Sequence, residues 1–346
     1  MRELTLDKLP NKLLAKLDLE TVFAASRCVI AAERFLVFRK LHGRELSAAA
    51  VGRRVGIHPK HCEAFLDFLV FLGLLKKRDN LYRNSALANR HFIQARSIDW
   101  TKFWSHECTQ EYEALSVMED TISSGRDWRQ ILGKERKPDY ELVQEDPRWA
   151  RGFTHALYDL HKPAAETLAK NLDLSDYQSL LDVGGGSGVM SIALARAHPH
   201  LRACILDFEF VCQAAKRIIR RERMSRRIKT LVGDMNRAIP IGFDVIMFWD
   251  IGHVDTRVMR MAYQSLPEGG MVVRDCAPRS KPKAPSPSAF LHEYLSVLPM
   301  GQTKPSILSS LKEAGFRSVK YRRIGRKIGL ITGLKGKARK QMSRRN

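Results

Sequence analysis

The chain has 346 residues, and at roughly 100 to 200 residues per domain that length suits two cores; with 44% of its residues hydrophobic it is not a disordered protein. Lysine and arginine number 59 against 37 aspartates and glutamates, a formal net charge of +22 with a pI near 10.0, so the surface is strongly cationic and can attract anionic partners. The longest apolar stretch, residues 65–75, is broken by Asp67 and falls short of the roughly 18 to 20 residues of a membrane span, and the opening MRELTLDKLPNKLL lacks the continuous apolar segment of a secretory signal. A cytoplasmic location is expected.

Cys28, Cys62, Cys108, Cys204, Cys212 and Cys276 are scattered without any C-x-x-C pair, which reads as reduced thiols rather than a disulfide framework or a structural zinc site. No metal is expected. From 21 to 41 apolar residues recur at helical spacing and predict one buried helix. Two more helices follow over 46–55 and 59–75, joined at Gly56-Ile57-His58, with Pro59 suited to a first helical position. Residues 73–82 then predict a strand, an Asp-Asn turn and a return strand, completing a winged-helix pattern. Its second helix, HPKHCEAFLDFLVFLG, is dominated by Phe, Leu and Val where a groove-reading helix needs Arg, Lys, Asn or Gln. Protein packing or dimerisation is therefore the expected use, giving a mainly α winged-helix-like dimerisation domain over 1–96.

Residues 97–175 keep helical periodicity and are rich in aromatics, a helical linker and substrate-pocket region. Beyond them short apolar strands alternate with helices: SLLDV, VMSIALARA, ACILDF, VCQAAKRIIRRERM, IKTLVGD, FDVIMFW, MVVRD. This α/β alternation predicts a Rossmann-like domain with a mostly parallel sheet over 176–335, followed by a basic, disordered tail over 336–346.

The segment 179–188 is an apolar strand that runs into Gly184-Gly185-Gly186-Ser187-Gly188 and then a helix, an arrangement that brings backbone close to a ligand at a helix N-terminus. A nucleotide-like cofactor is expected there. The G-x-G-x-x-G spacing of NAD sites is not met. Asp207 ends the next strand 19 residues after Gly188, where a carboxylate can accept from both hydroxyls of a ribose.

DVGGGSG at 182–188 resembles the S-adenosylmethionine loop of class I methyltransferases. The winged helix, the linker, RGFTHALYDLH at 151–161 and LKEAGFRSVKYRR near the end together are similar to the dimeric small-molecule O-methyltransferases with an N-terminal dimerisation domain, over about residues 20 to 334. The resemblance implies S-adenosyl-L-methionine as cofactor, a homodimer, and a small aromatic or polyketide-like acceptor. It implies cofactor contacts from Asp182, Gly184, Gly186, Gly188, Asp207, Phe208 and Trp249, with Asp234 at the adenine amino group and Met235 against the ring. It places Phe153 and Leu157 at the acceptor pocket, Leu157 standing where the family has methionine. It makes His253, nine residues past Asp244, the candidate general base, and Asp275 the acid that orients it.

Two departures bear on the acceptor. The family continues H-D-W-x-D-E where this chain has His253-Val-Asp-Thr, and Gly301 and Gln302 stand near the place of its second acid. His292 and Glu293 fall where the family lines the acceptor pocket; they bind the acceptor, replace the missing acid or are helix-surface residues. An acceptor carbon or nitrogen, a nucleic-acid substrate, and a non-catalytic cofactor-binding interaction protein are the alternatives. Much of the positive charge lies in 216–229, with eight cations and one anion, and beyond Gly315, with twelve cations and no acid. Such segments serve solubility or meet an acidic carrier protein, a nucleic acid or an anionic lipid surface.

Overall fold

The computed structural model describes residues 19–94, 111–133, 139–276, 302–325 and 328–336. His292, Glu293, Cys108 and the tail from 337 on lie outside the described residues. The chain forms two compact units that divide between Lys134 and Glu135.

In the first unit the helix expected over 21–41 is two helices, α1 (Leu19–Arg34) and α2 (Val37–Lys40). Leu36, at φ 59°, takes the left-handed conformation between them, and this turn delivers Val37, Phe38 and Leu41 into the same core as Ala32. A two-residue strand, β1 (Leu46–Ser47), precedes α3 (Ala48–Val55), whose first turn is capped by Ser47: its Oγ accepts from the Ala50 N–H at 3.3 Å. Gly56 ends α3, and α4 (Pro59–Phe71) buries Cys62, Leu66 and Leu69. The hairpin of β2 (Leu75–Arg78) and β3 (Leu81–Asn84) turns on Asp79 and Asn80, both at positive φ as a two-residue turn of this hand requires, and β1 joins β3 antiparallel. The short helix α5 (Ala86–Ala88) runs into a π-helical segment (Asn89–Gln94) that buries Phe92, and the short helices α6 (Met118–Ser124) and α7 (Trp128–Ile131) lie further along the unit.

The second unit opens with α8 (Asp139–Glu145) and the long α9 (Pro147–Asn171), capped by Asp146, whose carboxylate accepts from the Arg148 and Trp149 N–H groups. Then come β4 (Ser179–Val183), α10 (Val189–Ala197), β5 (Arg202–Asp207), α11 (Glu209–Arg221), β6 (Ile228–Val232), β7 (Val245–Phe248), α12 (Thr256–Ser265), β8 (Met271–Cys276), α13 (Lys304–Glu313), β9 (Arg317–Arg323) and β10 (Gly329–Leu334). The seven strands lie in the order β6-β5-β4-β7-β8-β10-β9; the first five are parallel, β10 is antiparallel to both its neighbours, and β9 therefore runs in the direction of the first five. Strand residues alternate between two cores. Leu180, Ile205 and Met247 pack with Leu168, Met190 and Ile218 of α9, α10 and α11; Leu181, Phe248 and Val272 pack with Val258 and Leu311 of α12 and α13. The strand order reverses between β4 and β7, which opens a crevice at their C-terminal ends, the place where such sheets bind ligands. Among the described residues no helix is long and apolar enough to cross a membrane, and no group of three His, Cys, Asp or Glu could hold a metal ion.

Candidate active site

The loop from β4 to α10 enters that crevice. Gly186 sits at φ 53°, and a Cβ built on it would meet nothing nearer than the Gly184 carbonyl at 4.0 Å, so any side chain there would project into the open crevice. At Gly184, φ 61°, a Cβ would come within 2.8 Å of Ile251 Cδ1; the missing side chain lets the loop after β7 lie against the glycine loop. Gly188, at φ 73°, is the N-cap of α10.

Two acids flank the loop. Asp207, at the end of β5, accepts the Gly186 N–H on Oδ2 and the Phe208 N–H on Oδ1, both at 2.8 Å. Each oxygen keeps acceptor capacity for a further donor. Burial pushes this carboxyl up to about 6, against the pull of those two N–H groups. Asp182 lies under the loop, fully buried, with Oδ2 accepting from Ser191 Oγ at 2.7 Å and Oδ1 without a partner. Its burial, opposed by the Ser191 hydroxyl and reinforced by the negative charge of Asp207, raises it to about 7. After β6, Asp234 accepts the Asn236 N–H at 2.8 Å, and Met235 packs on the core below. Phe208, the N-cap of α11, packs with Trp149 and Phe153 of α9 around Val143, Ala150 and Val211.

The ends of β7 and β8 form the other wall. Trp249 is buried, and Asp250 next to it stands at φ 56°, left-handed backbone that a non-glycine residue adopts at a cost. The Asp250 N–H donates to Asp275 Oδ1 at 3.0 Å, and Asp250 Oδ2 faces His161 Nε2 of α9 at 3.2 Å. Burial raises Asp275 to about 6, against the neighbouring Arg274 cation and the Asp250 N–H. His161 and Asp250 were not singled out from the sequence. The signal for His161 was nevertheless there: Phe153, Leu157 and His161 recur every fourth residue and therefore share one face of α9, about 12 Å from first to last.

His253 is exposed in the loop after β7, beside a hollow that it shares with Asp255, Gln302 and Ser306. No hydrogen bond joins it to Asp275, so the expected pairing of these two is not made; Asp275 instead holds the Asp250 backbone. Gln302, near the place of the second acid, accepts on Oε1 from the Val254 N–H at 3.2 Å and from Arg274 Nη2 at 3.3 Å. Arg274 is buried, which lowers its pKa, and its Nε and Nη1 have no partner among the described residues.

The crevice fits S-adenosylmethionine on its own terms: a loop without side chains for close approach, a carboxylate with free acceptor capacity one strand away, and apolar surface at Phe208 and Met235. The model of the O-methyltransferase domain matches residues 115–317, and that of the O-methyltransferase dimerisation domain matches residues 17–93. A 3-hydroxy-5-methyl-1-naphthoate 3-O-methyltransferase of Streptomyces sahachiroi is 28% identical over 263 residues, 74% of either chain. An L-tyrosine C(3)-methyltransferase of Streptomyces lavendulae is 28% identical over 296 residues, 81% of this chain and 80% of that one. Among solved structures, PigF with SAH superposes with a TM-score of 0.77 at 21% identity, covering 91% of this chain and 97% of that one. With the glycine loop, the sheet order and both matches in agreement, the chain belongs to the S-adenosylmethionine-dependent O-methyltransferase family, with that family's dimerisation domain at its N-terminal end.

Proposed function

We propose that this chain moves the methyl group of S-adenosylmethionine to a hydroxyl of an aromatic or polyketide-derived small molecule. The cofactor supplies a methyl on a sulfonium, whose leaving group is a neutral thioether, so the chain's own work is to position the two reactants and dispose of the acceptor's proton. Asp207 takes the ribose hydroxyls on its spare lone pairs, Asp234 and Met235 take the adenine, and Trp249 closes the side toward β7. A phenol of pKa about 10 is roughly one part in a thousand ionised at pH 7, a deficit of about 4 kcal/mol, within the roughly 10² to 10⁴ that a placed general base supplies. Two imidazoles stand by the loop after β7: His253, the base read from the sequence, and His161. The observation that carries the reading is the acid and imidazole cluster of His161, Asp250 and Asp275 at the ends of β7 and β8, with Ile251 of the same loop packed against the glycine loop. A phenolic acceptor agrees with the named hydroxynaphthoate substrate of the Streptomyces sahachiroi relative. Transfer to carbon is the second reading, favoured by the name of the Streptomyces lavendulae relative.

The test is methyl-labelled S-adenosylmethionine with 3-hydroxy-2-naphthoate, 3-amino-2-naphthoate and tyrosine as probes, and mass identification of each product. Label on the naphthoate oxygen supports the proposal; label on the amine or on a ring carbon, with none on oxygen, overturns it.

The first unit is proposed to pair two copies of the chain in the cytoplasm. Phe23 is 60% exposed there, and Phe35, Phe71 and Leu81 also face outward, apolar surface of the kind that partners cover. The domain limits proposed are 1–96 for dimerisation, 97–175 for the linker and acceptor pocket, 176–335 for the cofactor domain and 336–346 for the tail. The basic segments around 216–229 and beyond 315 are proposed to meet an anionic partner, an acidic carrier protein or a nucleic acid.

A further inference from the structure

We infer that the acceptor's proton goes to His161, held by Asp250, rather than to His253. The inference rests on the O-methyl-transfer reading and deepens it.

A histidine base needs a second group to fix its ring and stabilise its cation. Asp275, the acid from which His253 was expected to draw that support, accepts the Asp250 N–H, and Gln302, near the place of the second acid, receives on Oε1 the Val254 N–H and Arg274 Nη2. His253 itself is exposed and makes no hydrogen bond to a described residue. Among the described residues, His161 has a support that His253 does not. Its Nε2 faces Asp250 Oδ2 at 3.2 Å, and its side chain is only 22% exposed.

Asp250 is itself held for this purpose. Left-handed backbone at a non-glycine residue persists only where neighbours fix it, and here the Asp250 N–H is pinned to the half-buried Asp275. The same loop lays Ile251, the chain neighbour of Asp250, on Gly184 of the cofactor loop. From α9 the arrangement is equally directed: Phe153 packs beside Phe208 at the cofactor end, and two turns on, along the same face, comes His161.

The step balances without another reagent. With Nε2–H donated to Asp250, the lone pair of Nδ1 takes the hydroxyl proton while the acceptor oxygen forms its bond to the methyl carbon. The electrons of the breaking carbon–sulfur bond stay on sulfur, which leaves neutral. The imidazolium, opposite the Asp250 carboxylate, then releases its proton to water. Asp275 is a positioning residue, acting through the Asp250 backbone.

The test uses the full chain as wild type, H161Q, D250N and H253Q, with 3-hydroxy-2-naphthoate and a nitro-substituted naphthol that is ionised at the assay pH. H161Q is expected to lower kcat on the naphthoate by about 10²-fold or more, D250N by about tenfold, and H253Q by less than H161Q. Cofactor affinity by calorimetry stays within a few-fold in H161Q, which separates a lost base from a lost fold. On the ionised naphthol the H161Q defect shrinks to a few-fold, because no proton remains to be moved; a merely structural role would leave the defect the same on both probes. Imidazole ¹⁵N spectra should place the His161 proton on Nε2 in the wild type and redistribute it in D250N. An H161Q chain that methylates the naphthoate at the wild-type rate, a defect equal on both probes, or a greater loss in H253Q overturns the assignment while transfer to oxygen stands. A wild type that methylates neither hydroxyl probe overturns transfer to oxygen, and the assignment with it.

Discussion

The affinity for S-adenosylmethionine should depend on pH through Asp207, in a direction fixed by the structure. Burial holds the free carboxyl near 6, although two backbone N–H groups already favour its ionised form. Ribose hydroxyls donating to the remaining lone pairs stabilise the carboxylate further, so binding lowers the pKa and releases a proton wherever the free carboxyl is still protonated. One pH unit below the free value the dissociation constant should therefore rise about tenfold, or about 1.4 kcal/mol, while above pH 7 it should be flat. Calorimetry in buffer pairs of different ionisation enthalpy measures both quantities: about one proton released per site at pH 5, about half at pH 6 and none at pH 8, given a carboxyl near 6. Asp207→Asn should abolish the pH dependence. It should also weaken binding at pH 8 by about 10- to 100-fold, since hydrogen bonds to a charged acceptor contribute about 1.5 to 3 kcal/mol and the amide turns a donor toward the Gly186 or Phe208 N–H. Affinity that improves as the pH falls, or an Asp207→Asn chain that keeps the wild-type pH profile, would refute the placement of the ribose on this acid.

Asp182 makes the opposite kind of statement, about stability. Its native pKa, about 7, lies above the ordinary value of 3.8, so between these values the unfolded chain gives up a proton that the native one keeps, and stability falls as pH rises, by up to about 4 kcal/mol. Asp182→Asn should remove about half of the slope between pH 5 and pH 8 in denaturant titrations, Asp207 and Asp275 supplying the rest with the same sign; an unchanged slope would mean that the acid is solvated in the native chain. Gly186→Val should raise the cofactor dissociation constant more than 100-fold, by occupying the crevice, with stability reduced by only about 1 to 3 kcal/mol for the left-handed backbone. Normal calorimetric binding by that variant would contradict the loop assignment. If the first unit pairs two copies, Phe23→Glu should shift the chain toward monomer in sedimentation, and an unaltered sedimentation coefficient would count against that face as the contact.

The two walls of the crevice were not equally legible in the sequence, and the reason is physical. The cofactor side is written locally: a strand of five residues, a turn that only glycines can make, and an acid at the end of the next strand, each recoverable from its neighbours in sequence. Where local conformation departs from the rule, the pattern misleads even there. Apolar spacing runs unbroken from Thr21 to Leu41, yet Leu36 turns left-handed because burying Val37 and Phe38 outweighs the cost of the turn. The proposed acceptor side depends on such a departure at its centre. Asp250 is left-handed without being glycine, and nothing in FWDIGH announces that its N–H will take Asp275 and its carboxylate will reach α9. A motif places His253 in a loop; it does not say which way the loop turns. That direction comes from a pairing between residues 161 and 250, far apart in the chain, and from Gln302 being an amide that answers Arg274 and Val254 in place of an acid.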